Sequence, residues 1–186
     1  MLLAPLVAVL LCADNNWEKL SEEDGLVLEV QPISGSMLEN LRVTGTTRAS
    51  PEDFIKAWWG SAKDFSASPE IVKREIFLDD ENERLYWDQI RASPASDRDY
   101  VMSLKKKGNT VEFQSVDDKR KPTSNDFVRM NLRGSVTAAP DPKGARITYV
   151  VFTDIGGLVP PAFARGAQRK ASFNLVREIR RRAEKK

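Results

Sequence analysis

The sequence predicts an α+β domain in which a long C-terminal helix covers one face of an antiparallel β-sheet. From residue 71 onward, six strand-like segments follow one another with short polar turns between them, which is typical of an antiparallel meander. After Pro160 and Pro161, about 25 residues with apolar positions spaced by four indicate a helix that runs to the C-terminus. Because a sheet with one wet face must cover the other, this helix is the expected cover.

The part of the chain before the meander predicts further elements. We interpret 17–23 as a short helical lead-in, and 26–33 and 41–48 as two strands joined by a turn-rich segment. Ser50 is a good N-cap and Pro51 suits the first helical position, so a helix is expected to begin here.

Several of the six strands in the meander alternate apolar and polar residues clearly. Tyr100, Met102 and Leu104 share one face of their strand, and Ser103 and Lys105 share the other. One face of the sheet is therefore expected to be covered and the other wet. The predicted strands are 71–79, 83–92, 99–107, 110–117, 127–138 and 145–154.

The composition excludes several kinds of enzyme. The 186 residues include no histidine and a single cysteine, Cys12. Nucleophilic sites that need histidine and the usual His/Cys zinc sites cannot be built, and one cysteine cannot form a disulfide within the chain. We predict no catalytic residue, no metal and no cofactor, and a domain that binds more than it reacts.

The N-terminal segment is apolar from Leu2 to Ala13. It is too short to span a bilayer as a helix and resembles the apolar part of a secretory signal, although no basic residue precedes it. We therefore predict a signal peptide over 1–13, a single domain over 14–186, and export to the periplasm or medium. The alternative is a buried N-terminal element and a cytoplasmic protein.

Charge is distributed unevenly along the chain. Residues 165–186 contain nine Lys and Arg but only two Glu, whereas the whole chain has a net charge of +2. This basic helix could contact an anionic membrane surface transiently, or it could simply be a solvated face. No nucleic-acid motif accompanies it, so we expect no nucleic acid as a partner.

An ordered series of short motifs resembles the START (StAR-related lipid transfer) domain family. The resemblance covers about 24–186 and implies the helix-grip fold, in which a curved antiparallel sheet wraps around a long C-terminal helix with an internal apolar cavity. Some family members have an inward arginine six positions after the Arg of an Arg-Asp element, where this chain has Leu104. The motifs are Asp24-Gly25, Trp58, Tyr86, Pro94, Ser96 to Val101, Val128-Arg129, Gly134, Thr148 to Asp154, Gly156-Gly157 and Pro160.

The resemblance implies a ligand-binding face on the sheet and the helix. Methionines would give this wall an adaptable shape, and small residues on the helix would leave space below it. The alternative is that the same side chains form a solid core. Gly156 and Gly157 are expected to form the turn before the helix and to act as the hinge of a lid. The predicted lining residues are Tyr100, Met102, Leu104, Val111, Phe113, Val128, Met130, Leu132, Val150, Phe152, Phe163, Ala167 and Ala171.

The sequence therefore predicts a monomer that binds, and transfers between membranes, a lipid or other hydrophobic small molecule without covalent chemistry. Two alternatives stay open. One is an enzyme similar to polyketide cyclases and aromatases, which share the fold, and the other is an interaction module with a collapsed cavity. The sequence assigns Arg98 and Asp99 a structural role, and it shows no clear pair of titratable residues on the inward face.

Overall fold

The computed structural model describes residues 16–61, 63–64, 66, 68–92 and 95–185. The proposed signal peptide and Cys12 lie outside the described residues. Within this part of the chain, no helix is both long and apolar enough to cross a membrane. The elements are β1 (Glu18–Glu23), β2 (Leu26–Pro32), β3 (Glu39–Thr47), α1 (Pro51–Ser61), β4 (Ile71–Asp79), β5 (Glu83–Ile90), β6 (Arg98–Lys107), β7 (Thr110–Ser115), β8 (Val128–Arg129), β9 (Asn131–Asp141), β10 (Gly144–Asp154) and α2 (Pro161–Ala183).

The described strands form one sheet in the order β1-β2-β3-β10-β9-β7-β6-β5-β4, and the short strand β8 pairs with β6. The pairing is antiparallel along the whole path, whereas β8 runs parallel to β6. Because β3 pairs with β10, the first three strands lie beside the last ones. The predicted α+β class and the antiparallel sheet are confirmed.

Both helices pack on the same side of the sheet, which we call the inner face. The helix α1 contacts β9 and β10, and α2 contacts β2, β3 and α1. Phe54 of α1 and Val176 and Ile179 of α2 are fully buried in this core, beside Val43 and Ile147 of the sheet. Burial of such a side chain stabilises the fold by roughly 1.5–3 kcal/mol, so apolar contacts hold the helices against the sheet.

The helix α1 begins as predicted. The Ser50 Oγ accepts a hydrogen bond from the backbone N–H of Asp53 at 3.1 Å. This contact satisfies one of the free N–H groups of the first turn and confirms Ser50 as the N-cap.

Two predictions about strands are wrong. The segment 17–23 is not a helical lead-in, because Glu18–Glu23 forms β1 and pairs with β2 across a tight hairpin. Asp24 and Gly25 form its turn with φ of 53° and 70°, a conformation that an Asp-Gly pair adopts readily. The predicted strand 127–138 is interrupted at Met130, since β8 turns to pair with β6.

Candidate ligand-binding site

Most of the sheet residues predicted to line a cavity lie on the inner face. Five are buried, and Phe113 and Leu132 are half-buried and packed against the core. Val128 lies half-buried beside the turn formed by Gly156 and Gly157. The predicted inward orientation is therefore correct for these eight, and their contact with a ligand stays a prediction. The five buried residues are Tyr100, Met102, Leu104, Val111 and Met130.

The prediction for β10 assigns the wrong set of alternating residues to the inner face. Val150 and Phe152 lie on the outer face, where the guanidinium of Arg133 stands 3.9 Å from the centroid of the Phe152 ring. The inner positions are instead Tyr149 and Val151, which are buried. Because every residue from Tyr149 to Phe152 is apolar, alternation alone does not identify which side of the strand is buried.

The prediction for α2 is also wrong in its orientation. Phe163 is 76% exposed, and Ala167 and Ala171 are exposed as well. With 3.6 residues per turn, a row spaced by four rotates by about 40° at each step, so a row that ends at the buried Ile179 begins on the opposite side of the helix. The buried residues of α2 are Ala164, Ser172, Phe173, Val176, Ile179 and Ala183.

Two open depressions on the described surface have volumes of about 460 and 510 Å³. The first lies on the outer face and includes Glu112, Arg133 and Phe152. The second lies beside the C-terminal end of α2 and includes Arg177 and Glu184. Neither lies between α2 and the inner face, so the internal cavity stays a prediction.

A buried ion pair lies on the inner face, where the sequence showed no clear pair of titratable residues. Arg74 of β4 donates to Asp88 of β5 through Nε at 2.6 Å and Nη2 at 2.5 Å, and the Tyr100 hydroxyl donates to the same carboxylate at 2.7 Å. The guanidinium also stands 4.1 Å from the centroid of the Tyr86 ring. We call these four residues the Asp88 cluster. Alternation along β5 places Asp88 on the same face as Tyr86, and this was the signal that the sequence offered.

The protonation of the inner face follows from its burial. Burial raises the pKa of Tyr86, Tyr100 and Tyr149, and the nearby Asp88 charge raises that of Tyr100 further. Burial lowers the pKa of Arg74, but the hydrogen bond to Asp88 and the attraction of Asp88, Tyr86 and Tyr100 together outweigh burial, so the Arg74 pKa is raised. The inner face therefore presents a permanent cation and neutral phenols near neutral pH, and the Tyr100 phenol donates its proton to Asp88.

Tyr149 links the sheet to both helices. Its ring centroid lies 5.2 Å from that of Trp58 in α1 and 5.9 Å from that of Phe113 in β7. Its hydroxyl lies near Ser172 of α2, which lowers the Tyr149 pKa against the larger rise caused by burial. These contacts fill the middle of the inner face with side chains.

The N-terminal half of α2, residues 161–171, is held to the sheet by polar contacts. Arg169 donates to Glu39 through Nε at 2.7 Å and Nη2 at 2.6 Å. Gln168 donates to the carbonyl oxygen of Thr153 at 3.0 Å. The C-terminal half makes ion pairs as well, such as Arg177 with Glu23 at 2.9 Å, but it is also buried in the apolar core. The two halves therefore differ in apolar burial.

Asp99 is structural, as the sequence indicated. Its carboxylate accepts from Trp87 Nε1 at 2.9 Å and from Arg129 Nε at 2.8 Å. These contacts lie on the outer face, because Asp99 alternates with the inner residues Arg98 and Tyr100 along β6.

This architecture is a START-like helix-grip fold. A STAR-related lipid transfer protein from Xanthomonas axonopodis superimposes with a TM-score of 0.77 at 24% identity, covering 90% of this chain and 98% of that one. Human STARD10 gives a TM-score of 0.71 at 17% identity, covering 88% of this chain and 72% of that one. The Zhui aromatase/cyclase from Streptomyces sp. R1128 gives 0.59 at 12% identity, covering 79% and 94%. No family model and no curated protein matches the sequence.

Proposed function

We propose that the protein binds a lipid or other hydrophobic ligand between α2 and the inner face, and shields it from water during transfer between membranes. The observation that carries this proposal is an apolar inner face that contains the buried Asp88 cluster. The helix α2 covers this face, and its N-terminal half is held there by polar contacts. The lipid-transfer proteins with the same fold support it. Transfer of apolar surface out of water supplies about 25 cal/mol per Å², which is enough to hold a ligand by area and shape.

Organic extraction of the purified protein, followed by mass spectrometry, tests this proposal. We expect one class of hydrophobic molecule to be recovered at close to one equivalent per chain. An empty protein that also fails to take up lipid from vesicles would contradict it. Light scattering on the same sample tests the expectation that the protein acts as a monomer.

The turn before α2 is proposed to act as the hinge of a lid. Gly156 and Gly157 have φ of 60° and 66°, which favours glycine at both positions. Because residues 161–171 are held by polar contacts, they can separate from the sheet without exposing the apolar core of the C-terminal half.

The substitution Glu39→Gln is expected to speed opening of this lid. It weakens a charge-assisted bidentate contact with Arg169, so amide exchange over 158–171 should accelerate roughly tenfold. Hydrogen exchange measured by mass spectrometry reports this directly. The matched control is Glu29→Gln, which weakens a similar bidentate contact with Arg42 between β2 and β3 and should leave 158–171 unchanged. Equal exchange in both variants would contradict the hinge.

Membrane contact is proposed at the start of α2, where the structure modifies the expectation from the basic C-terminal helix. The arginines of the C-terminal half are engaged within the chain, for example Arg177 with Glu23 at 2.9 Å. Apolar side chains are exposed at the other end, at Met37, Leu158 and Phe163, and Arg165 donates to the Met37 carbonyl oxygen at 3.1 Å. Apolar residues beside arginine suit the surface of an anionic bilayer.

The double substitution Leu158→Ser/Phe163→Ser is expected to reduce binding to vesicles severalfold. It removes two exposed apolar side chains that would insert between lipid headgroups. Flotation with vesicles containing phosphatidylserine measures the bound fraction. The control Ile76→Ser/Leu78→Ser removes two exposed apolar residues from β4 and should have no effect. If both double variants bind like the parent chain, the contact lies elsewhere.

An enzyme similar to the aromatase/cyclases is the second candidate. The buried Tyr86 favours it, because a protonated phenol beside Arg74 can polarise a carbonyl group. Conversion of a supplied polyketide chain by the purified protein would support this candidate over carriage.

Export is proposed from the apolar segment 1–13. A mature protein that begins at Asp14, measured by intact mass after expression in a secreting host, would support it. An intact N-terminus in the cytoplasmic fraction would contradict it.

A further inference from the structure

Arg98 is a buried arginine on the inner face, at the start of β6. Its side chain is on the same face as Tyr100 and is paired across the sheet with Ile90 of β5 and Val128 of β8. Only 4% of the residue is exposed. The charge therefore lies inside the molecule, two positions along the strand from the Asp88 cluster.

No carboxylate neutralises this charge among the residues that the structure describes. The Asp88 carboxylate is occupied by Arg74 and Tyr100, and Asp99 faces the opposite side of the sheet. Arg98 makes one side-chain hydrogen bond within the described residues, from Nη1 to the carbonyl oxygen of Ser96. Its buried Nε has no acceptor among the described residues. A buried cation without a counter-charge is costly, and buried polar atoms without a hydrogen-bond partner are rare in folded proteins.

The free edge of this guanidinium has the geometry that binds carboxylates elsewhere in the molecule. Nε and Nη2 together hold the two oxygens of a carboxylate in six arginines of the described chain. In Arg98 the same edge makes no hydrogen bond with a described residue, and only Nη1 is engaged. A planar edge with two parallel donors matches the oxygens of a carboxylate or phosphate. The six arginines are Arg42, Arg74, Arg120, Arg129, Arg169 and Arg181.

Arg98 also lies against the proposed hinge. A Cβ built on Gly157 would stand 3.6 Å from Nη2 of Arg98 and 3.4 Å from Val128. Because glycine has no side chain, the backbone of the turn between β10 and α2 lies directly beside the guanidinium. A group bound to Arg98 would lie where the lid meets the sheet, with its apolar part directed along the inner face.

We propose that Arg98 binds the anionic oxygen group, a carboxylate or a phosphate, of the hydrophobic ligand. This inference rests on the proposed function and names the ligand class as an anionic amphiphile. The apolar chain of the ligand is held by burial of its surface on the inner face. The anionic headgroup accepts hydrogen bonds from Nε and Nη2 of Arg98.

Binding of two matched fluorescent probes tests this inference. The probes are cis-parinaric acid and its methyl ester, which share one hydrocarbon chain and differ in charge. We expect the wild-type protein to bind the acid at least about tenfold more tightly than the ester, since a charge-assisted bidentate contact is lost with the ester. In Arg98→Met this preference should disappear while the ester binds as before. Arg98→Lys should restore part of it.

The control variant is Arg133→Met, which removes an arginine from the outer face and should leave the preference unchanged. Equal affinity of the wild-type protein for both probes would overturn the inference and leave the proposed function intact. If neither probe binds, the proposed function itself fails. A thermal midpoint of Arg98→Met several degrees lower, together with an unchanged preference for the acid, would assign Arg98 a structural role and overturn the inference.

Competition identifies the source of the anionic group. Displacement of the acid probe by phosphatidic acid but not by inorganic phosphate would support a lipid headgroup. Displacement by inorganic phosphate as well would support a site for the free anion.

Discussion

Replacing Asp88 with leucine is expected to lower the free energy of unfolding by about 3–5 kcal/mol, measured by urea denaturation. The substitution removes the carboxylate that Arg74 holds through two nitrogens, and the Arg74 side chain is only 6% exposed. It also removes the acceptor of the Tyr100 hydroxyl. Loss of an acceptor costs a buried polar donor more than the original contact contributed.

The double variant Arg74→Met/Asp88→Leu separates the charge from the packing. Because both members of the pair are then apolar, most of the lost stability should return. The exposed pair Lys105–Glu83, joined at 3.8 Å, supplies the control, and Glu83→Gln should cost less than about 1 kcal/mol. A small effect of Asp88→Leu would mean that water reaches Arg74 readily.

Ligand binding by the double variant distinguishes two roles of the Asp88 cluster. If the double variant is as stable as the parent chain but extracts without ligand, the Asp88 cluster serves recognition of a polar group. Full ligand occupancy in that variant would assign the cluster to specification of strand pairing instead.

The sequence predicts strand orientation well where apolar and polar residues alternate. In β6, Tyr100, Met102 and Leu104 are buried on the inner face, and the polar Ser103 and Lys105 that follow Met102 and Leu104 lie on the other face. In β10 the stretch from Tyr149 to Phe152 is apolar throughout, and the pairing with β3 and β9 decides which side is buried.

The contact between Arg74 and Asp88 depends on register that a single sequence does not reveal. The two residues lie opposite each other on β4 and β5, and the pairing of these strands shifts twice, between Ile71 and Lys73 and between Ile76 and Leu78. Each irregularity changes which β4 residues share a face with Asp88. Alternation could place Asp88 on the inner face, but only the bulged register places Arg74 beside it.

A single position is not enough to predict which charged side chains lie on the inner face. Leu104, at the position of the inward arginine of some family members, made a charged contact with a ligand headgroup less expected at that point. The structure instead brings Arg74 from a neighbouring strand and Arg98 from the start of the same strand. Charge on a sheet face is a property of several strands together, so one substituted position does not determine it.

Replacing Leu132 with tryptophan distinguishes a ligand cavity from a solid core. Leu132 is half-buried on the inner face of β9, and a larger ring there would project into the space proposed for the ligand. If that space exists, co-extracted ligand should fall at least about tenfold while the free energy of unfolding changes by less than about 1 kcal/mol.

The same substitution has the opposite signature in a solid core. Overpacking would then lower the free energy of unfolding by about 1–3 kcal/mol, and there would be no ligand to lose. The matched control is Val150→Trp, which places the same ring on the outer face and should affect neither measurement strongly. Because stability and ligand content move independently in the two cases, loss of ligand with retained stability requires an open space beneath α2, and loss of stability with an unchanged extract excludes it.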